Sequence, residues 1–167
     1  MAGSRIDLAR DFRDLLRAFD DLGVRYLVVG AYALAALGRP RGTGDLDVWV
    51  EPTSRNAERV LAALQKFGAP LHDLTTSDLA TPGVVFQIGV PPVRIDVLTQ
   101  IDGVEFEAAW PRRLTTVFGE IPVTVIGRDD FLTNKRAVGR ARDLADVERL
   151  ERGTRRKKPT PASRRSR

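Results

Sequence analysis

The chain has 167 residues, 43% hydrophobic and 29% charged, a composition that fits one globular domain with a core of useful size. It has no cysteine and one histidine, which excludes disulfides and zinc–thiolate sites, argues against a His-based metal site or catalytic triad, and fits a cytoplasmic protein. The net charge of +5 is unevenly placed: residues 152–167 hold eight basic residues and no acidic one, leaving 19 basic against 22 acidic, net −3, in residues 1–151.

Residues 6–22 carry Leu8, Phe12, Leu15, Leu16, Phe19 and Leu22 at helical spacing, and Gly23 closes that amphipathic helix. Arg25 to Val29 reads as a short buried strand, followed by a short apolar helix from Ala31 to Leu37. Residues 38–44 are a loop by their glycine and proline content. Leu46 to Val50 is a strand, and Ser54 to Phe67 a helix with Val60, Leu61, Leu64 and Phe67 inward, ended by Gly68. Val84 to Val90 and Arg94 to Thr99 are strands separated by Pro91-Pro92, a pair that belongs in a turn. A short helix from Phe106 stops at Pro111, and a hairpin joins Thr115–Phe118 to Ile121–Ile126 around Gly119-Glu120. The last helices span Asp129 to Val138 and Arg142 to Leu150. Together these make an α/β (α+β) domain over residues 1–151, with a small mixed sheet flanked by helices, and a basic, disordered tail over 152–167. No apolar run is long enough to span a membrane, and the first residues lack the apolar region of a signal peptide.

The costly feature is Asp45-Leu46-Asp47-Val48, two carboxylates inside an apolar run. Alternate strand residues share a face, so Asp45 and Asp47 project together while Leu46 and Val48 enter the core. Paired carboxylates repel unless a positive charge sits between them, and the usual one is a divalent cation such as Mg²⁺, bound together with substrate phosphates. Asp96 is a third isolated acid, in Val93-Arg94-Ile95-Asp96-Val97. If its strand pairs with the Asp45 strand, three carboxylates meet, as a metal-assisted phosphoryl-type transfer requires. In the loop before the acids, Arg39 and Arg41 could engage phosphates bidentately, Arg41 being nearer, and Thr43 could bond a phosphate or cap the turn. Trp49 is expected to pack in the core on the back of the acidic strand, Trp110 to lie at a helix end, Tyr32 to pack, and His72 to sit in a surface loop.

Gly30-Ala31, Asp45-Leu46-Asp47 and Asp96, in that order, resemble the signature of the polymerase-beta-like nucleotidyltransferase superfamily. The resemblance covers residues 24–151. It is closest to the small single-domain bacterial members, among them the nucleotidyltransferase toxins of abortive-infection and toxin–antitoxin systems. Those families place Gly or Ser where this chain has Ala31, so a hydroxyl is missing there and a main-chain amide would serve the phosphate. The resemblance implies the nucleotidyltransferase fold, a nucleoside triphosphate substrate, Mg²⁺ or Mn²⁺ held by Asp45, Asp47 and Asp96, and a triphosphate cradled by Gly30 and the following amides. It further implies that Lys135 offsets triphosphate charge and that Asp143 holds Lys135 or an arginine in place. It points to transfer onto an acceptor hydroxyl, tRNA in the toxin-like case, with an antitoxin protein as partner. Two alternatives stand beside it: a degenerate nucleotide-binding module, and a small-molecule transferase of the antibiotic-modifying kind.

Overall fold

The computed structural model describes residues 8–40 and 44–156. Six strands form one mixed sheet: β1 (Tyr26–Val29), β2 (Asp45–Val50), β3 (Val85–Val90), β4 (Val93–Leu98), β5 (Leu114–Phe118) and β6 (Ile121–Val125). Their spatial order is β3-β4-β2-β1-β6-β5, with β2–β4 and β1–β6 parallel and the other neighbours antiparallel. The expected pairing of the two acidic strands is therefore present, and the α/β class with a small mixed sheet holds.

The helices are α1 (Arg10–Asp21), α2 (Gly30–Ala36), α3 (Ser54–Phe67), α4 (Thr76–Leu79), α5 (Phe106–Ala109), α6 (Arg128–Val138) and α7 (Ala141–Arg156). No helix among the described residues is long and apolar enough to cross a membrane. Helix α1 buries Phe12, Leu15, Leu16 and Phe19, the stripe its periodicity predicts, and packs on α3. Helix α3 starts at Thr53, whose hydroxyl accepts from the Asn56 amide, and ends at Gly68 in the left-handed conformation, φ 89°. Buried Asn56 stitches α3 to the sheet: it accepts from Arg25 N at 2.8 Å and donates to the carbonyls of Arg25 and Glu51, each at 3.0 Å. That clamp fixes the far ends of β1 and β2, and nothing in the hydrophobic pattern announces it.

Several expectations are corrected here. The sequence analysis assigns no element to residues 75–79, where Thr75 and Asp78 form a reciprocal capping box that starts α4. Helix α7 continues past Leu150 to Arg156, into the segment expected to be tail; residues 157–167 lie outside the described residues. Trp49 is buried as expected, but it shares parity with Asp45 and Asp47 and so lies on their face of β2, not the back. There it meets Phe106 edge-on, ring centroids 5.0 Å apart. The back of β2 belongs to Leu46, Val48 and Val50, all fully buried. Each such side chain contributes about 1.5–3 kcal/mol, and this apolar face keeps β2 in the register that aims its acids outward. Trp110 closes α5, Tyr32 packs edge-on against Phe12, and His72 is exposed in a turn, all as expected.

Candidate active site: an acid corner on two parallel strands

The register of β2 on β4 places Asp47 beside Asp96 and Asp45 beside Arg94. This register pairs odd-numbered residues of β2 with even-numbered residues of β4, so Asp45, Asp47, Arg94 and Asp96 share one face. The three carboxylates predicted to converge do so, at the rim of a cleft of about 220 Å³ lined by Gly30, Ala31, Asp45, Asp47, Arg94, Asp96, Lys135, Arg140 and Arg142. Arg41 and Thr43 lie outside the described residues.

Gly30 shows why the turn between β1 and α2 must be glycine. Its φ is +67°, and an added Cβ would overlap the Asp47 carboxylate. Strand β1 pairs Val29 with Asp47, so the Gly30 backbone is laid directly against that acid. Ala31 follows in α2 and is buried, with no hydroxyl to offer.

Arg94 is the functional-looking residue that the sequence analysis passed over as ordinary strand. Its Nη2 donates to Asp45 Oδ2 at 3.0 Å, and its Nε stands 3.2 Å from Asp96 Oδ1. The second approach is an ion pair without hydrogen-bond alignment, since both atoms are buried with no hydrogen-bond partner. Arg94 Nη2 also reaches Asp96 Oδ2 at 3.4 Å. The signal was available: Arg94 is two residues before Asp96 and so shares its face. Asp47 is the acid left without such help. Burial, then the charges of Asp96 and Asp45, push its carboxyl from 3.8 up to about 6, against the opposing pull of Lys135 and Arg94.

The opposite wall comes from α6 and α7. Lys135 is buried, its ammonium 3.2 Å from Asp143 Oδ1 and 3.3 Å from Asp146 Oδ2. Asp143 is 1% exposed and also accepts from Arg140 Nε at 2.8 Å. Burial would raise the Asp143 pKa, but the hydrogen bonds from Arg140 and Lys135, and their charges, hold it below the ordinary carboxylate value. Lys135 and Asp143 are thus in contact, as the resemblance implied. Asp146 and Arg140 were missed, although each stands three residues from Asp143 on or beside one helix face.

The donor set suits a hard cation. Asp45, Asp47 and Asp96 offer only carboxylate oxygens, one of them (Asp96 Oδ1) buried without a hydrogen bond. Among the described residues no group of three acids is placed to hold a metal ion, and the Arg94 guanidinium pairs with both Asp45 and Asp96. The three carboxylates suit a divalent cation by donor type.

Comparison with solved structures supplies a fold. A Thermotoga maritima protein described as a candidate nucleotidyltransferase superposes with a TM-score of 0.54 at 12% identity, covering 88% of this chain and 92% of its own. The lincosamide antibiotic adenylyltransferase LnuA, with lincomycin bound, gives 0.55 at 13%, over 86% of this chain and 96% of its own. ANT(2″)-Ia in complex with adenylyl-2″-tobramycin gives 0.56 at 14%, over 86% and 87%. No family model matches the chain, and no curated protein matches it in sequence. The chain has the nucleotidyltransferase fold.

Proposed function

We propose that this protein is a nucleotidyltransferase that moves a nucleoside monophosphate from a nucleoside triphosphate to an acceptor hydroxyl. The observation that carries the reading is the register of β2 on β4, which gathers Asp45, Asp47 and Asp96 at one cleft, with the Gly30 backbone against Asp47. The fold shared with the adenylyltransferases above supports it.

In this reading Asp45, Asp47 and Asp96 hold Mg²⁺ or Mn²⁺, which supplies charge neutralisation at the phosphates. Gly30 and the Ala31 amide lie along the triphosphate, with Arg41 and Thr43 as further phosphate contacts. Lys135 faces the same cleft and offsets phosphate charge, and Asp143 keeps its ammonium in place. Asp96 takes the proton of the acceptor hydroxyl. The acceptor oxygen bonds to the α-phosphorus, the bond to pyrophosphate breaks, and pyrophosphate carries the electron pair away. Positioning and charge stabilisation do the catalysis, with no covalent enzyme intermediate. If the chain works as the toxin-type enzymes it resembles, it acts in the cytoplasm, extends tRNA, and is held by an antitoxin protein.

A second reading has its own support, since LnuA and ANT(2″)-Ia carry lincomycin and adenylyl-2″-tobramycin. There the acceptor is a small hydroxylated molecule. The deciding experiment incubates the full chain with each α-labelled nucleoside triphosphate, Mg²⁺ or Mn²⁺, and either total bacterial RNA or a panel of hydroxylated small molecules. Label in an acceptor with the wild type, lost in Asp45→Ala/Asp47→Ala, establishes the transferase. Tight nucleotide binding with no transfer to any acceptor and no pyrophosphate release would identify a degenerate binding module instead.

A further inference from the structure

A second cavity, of about 450 Å³, lies at the C-terminal ends of β2 and β4, whereas the acid cleft sits at the other end of β2. Trp49 and Phe106 give it an aromatic wall, and Glu51, Glu105 and Glu107 supply carboxylates. It shares no lining residue with the cleft and has no basic one of its own. Its volume is twice that of the cleft and falls in the range of small-ligand sites.

Hydrogen bonds within the protein fix its walls. Glu51 accepts from Arg25 Nη1 at 3.3 Å and from the Thr53 hydroxyl at 3.0 Å. The hydroxyl of buried Thr99, just past β4, donates to Thr81 O at 2.7 Å and accepts from Val84 N at 2.8 Å, which holds Pro82 in the lining. One polar atom of the wall is left over. Trp49 is 1% exposed, and its indole Nε1 is buried without a hydrogen-bond partner among the described residues. An indole N–H only donates, so this wall calls for an acceptor.

The mouth calls for the opposite charge. Glu105 and Glu107 are exposed and take part in no ion pair among the described residues. Carboxylates beside aromatic rings attract an organic cation, whose ammonium meets the acids while its body lies on the rings. Trp49 stands two residues beyond Asp47 on the same face, about 7 Å along β2. An occupant of the cavity therefore packs against the strand that carries the acids without entering their cleft.

We propose that this cavity is a binding site for a small organic amine that also carries a hydroxyl or carbonyl oxygen. The ammonium meets Glu105 and Glu107, the apolar body lies against Trp49 and Phe106, and the oxygen accepts from Trp49 Nε1. The site is additional to nucleotidyl transfer: its occupant is neither the triphosphate nor the acceptor, and its binding requires neither.

The test titrates the full chain, without nucleotide, with 2-amino-1-phenylethanol, following tryptophan fluorescence and ligand-observed NMR. Two analogues dissect the site: 2-phenylethylamine lacks the hydroxyl, and 1-phenylethanol lacks the amine. The parent compound is expected to bind tightest, and each analogue roughly five- to tenfold more weakly. Glu105→Gln/Glu107→Gln, at exposed positions, is expected to weaken both amines by the same factor and to leave 1-phenylethanol unchanged. Trp49→Phe is expected to bring the parent compound and 2-phenylethylamine to one affinity, a comparison within one protein that loss of packing cannot mimic. Asp47→Asn, which alters the cleft alone, is expected to change none of these affinities. Equal affinity for the three compounds, or no binding of any of them by the wild type, would overturn the proposal. So would amine binding that survives Glu105→Gln/Glu107→Gln unchanged, or that is lost in Asp47→Asn, which would give the amine to the acid cleft.

Discussion

Two clusters of buried charge face each other across the cleft, and they are solved differently. On α6 and α7, Lys135 and Arg140 meet Asp143 and Asp146, two cations for two anions, with hydrogen bonds at 2.8 and 3.2 Å. On β2 and β4, Arg94 pairs with Asp45 and Asp96, while Asp47, buried beside both acids, has its carboxyl raised to about 6. The first cluster is complete in the protein alone. The second holds Asp47 buried beside two like charges, and that repulsion is the structural argument for a ligand there. Repulsion kept inside a folded protein is a feature of sites that bind.

The largest effect expected from breaking this contrast is on the acid side. Asp45→Ala or Asp47→Ala should lower nucleotidyl transfer on the order of 10³-fold, as loss of a major charge-stabilising group does. Far-ultraviolet circular dichroism and melting temperature should show an intact fold. Retained transfer in both variants would remove the assignment.

Next comes the self-sufficient cluster. Asp143→Ala leaves Lys135 with Asp146 and takes from Arg140 its hydrogen-bonded carboxylate, and should cost about 3 kcal/mol in denaturant unfolding. The pH dependences of the two clusters have opposite signs. Asp143, held below 3.8 in the folded state, stabilises above the carboxylate range and loses that contribution as pH falls through it. Asp47, raised from 3.8 to about 6, favours the fold below pH 4 and loses that contribution as pH rises through 6.

Asp47→Asn should therefore stabilise the protein at pH 7.5, by about 1–2 kcal/mol, less than the ~3 kcal/mol the full shift represents, because some exposure remains. The gain should vanish near pH 4, where Asp47 is protonated anyway. The same variant should lose transfer, so stability and activity move oppositely. A neutral or negative change in melting temperature at pH 7.5 would mean that the repulsion is relieved within the protein. Mn²⁺ should raise the wild-type melting temperature more at pH 8 than at pH 5, with EDTA reversing the shift, and should do little for Asp47→Asn.

The smallest effect sharpens the geometry. Gly30→Ala combines a left-handed φ with overlap on the Asp47 carboxylate and should cost about 1–2 kcal/mol. In an Asp47→Ala background the overlap is gone and only the backbone strain remains, so the cost should fall. Equal costs in both backgrounds would show that Asp47 yields space freely.

The acid corner was legible because its sequence pattern is self-contradictory: two carboxylates at period two in a strand whose other residues are all buried, and a third isolated among apolar neighbours. The contact of Lys135 with Asp143 came through resemblance, since eight residues across a helix break leave their geometry open. Asp146 and Arg140 were written in helical spacing from Asp143 and were overlooked because each also reads as a solvated helix charge. Arg94 was hidden in the same way inside a strand. The β1–β6 pairing was not legible, because it joins segments distant in sequence where local pattern says nothing, and the β2–β4 pairing was reached only through the acids that both strands carry. Trp49 shows the reverse error: its parity with Asp47 was in plain view, and it was nevertheless assigned to the back of the strand.

The pairing of β2 with β4 also has a temporal side. A parallel pair needs a long crossover, here the forty-odd residues that hold α3, α4 and β3, and such contacts form slowly. The cleft adds Lys135 from α6, and that lysine takes its carboxylates from α7. During synthesis, a chain that has not yet emerged past Asp146 has its acids without their opposite wall and a lysine without its counter-charges. The cleft is therefore completed late, and a product truncated before α7 should lack that wall of it and leave Lys135 without Asp143 and Asp146.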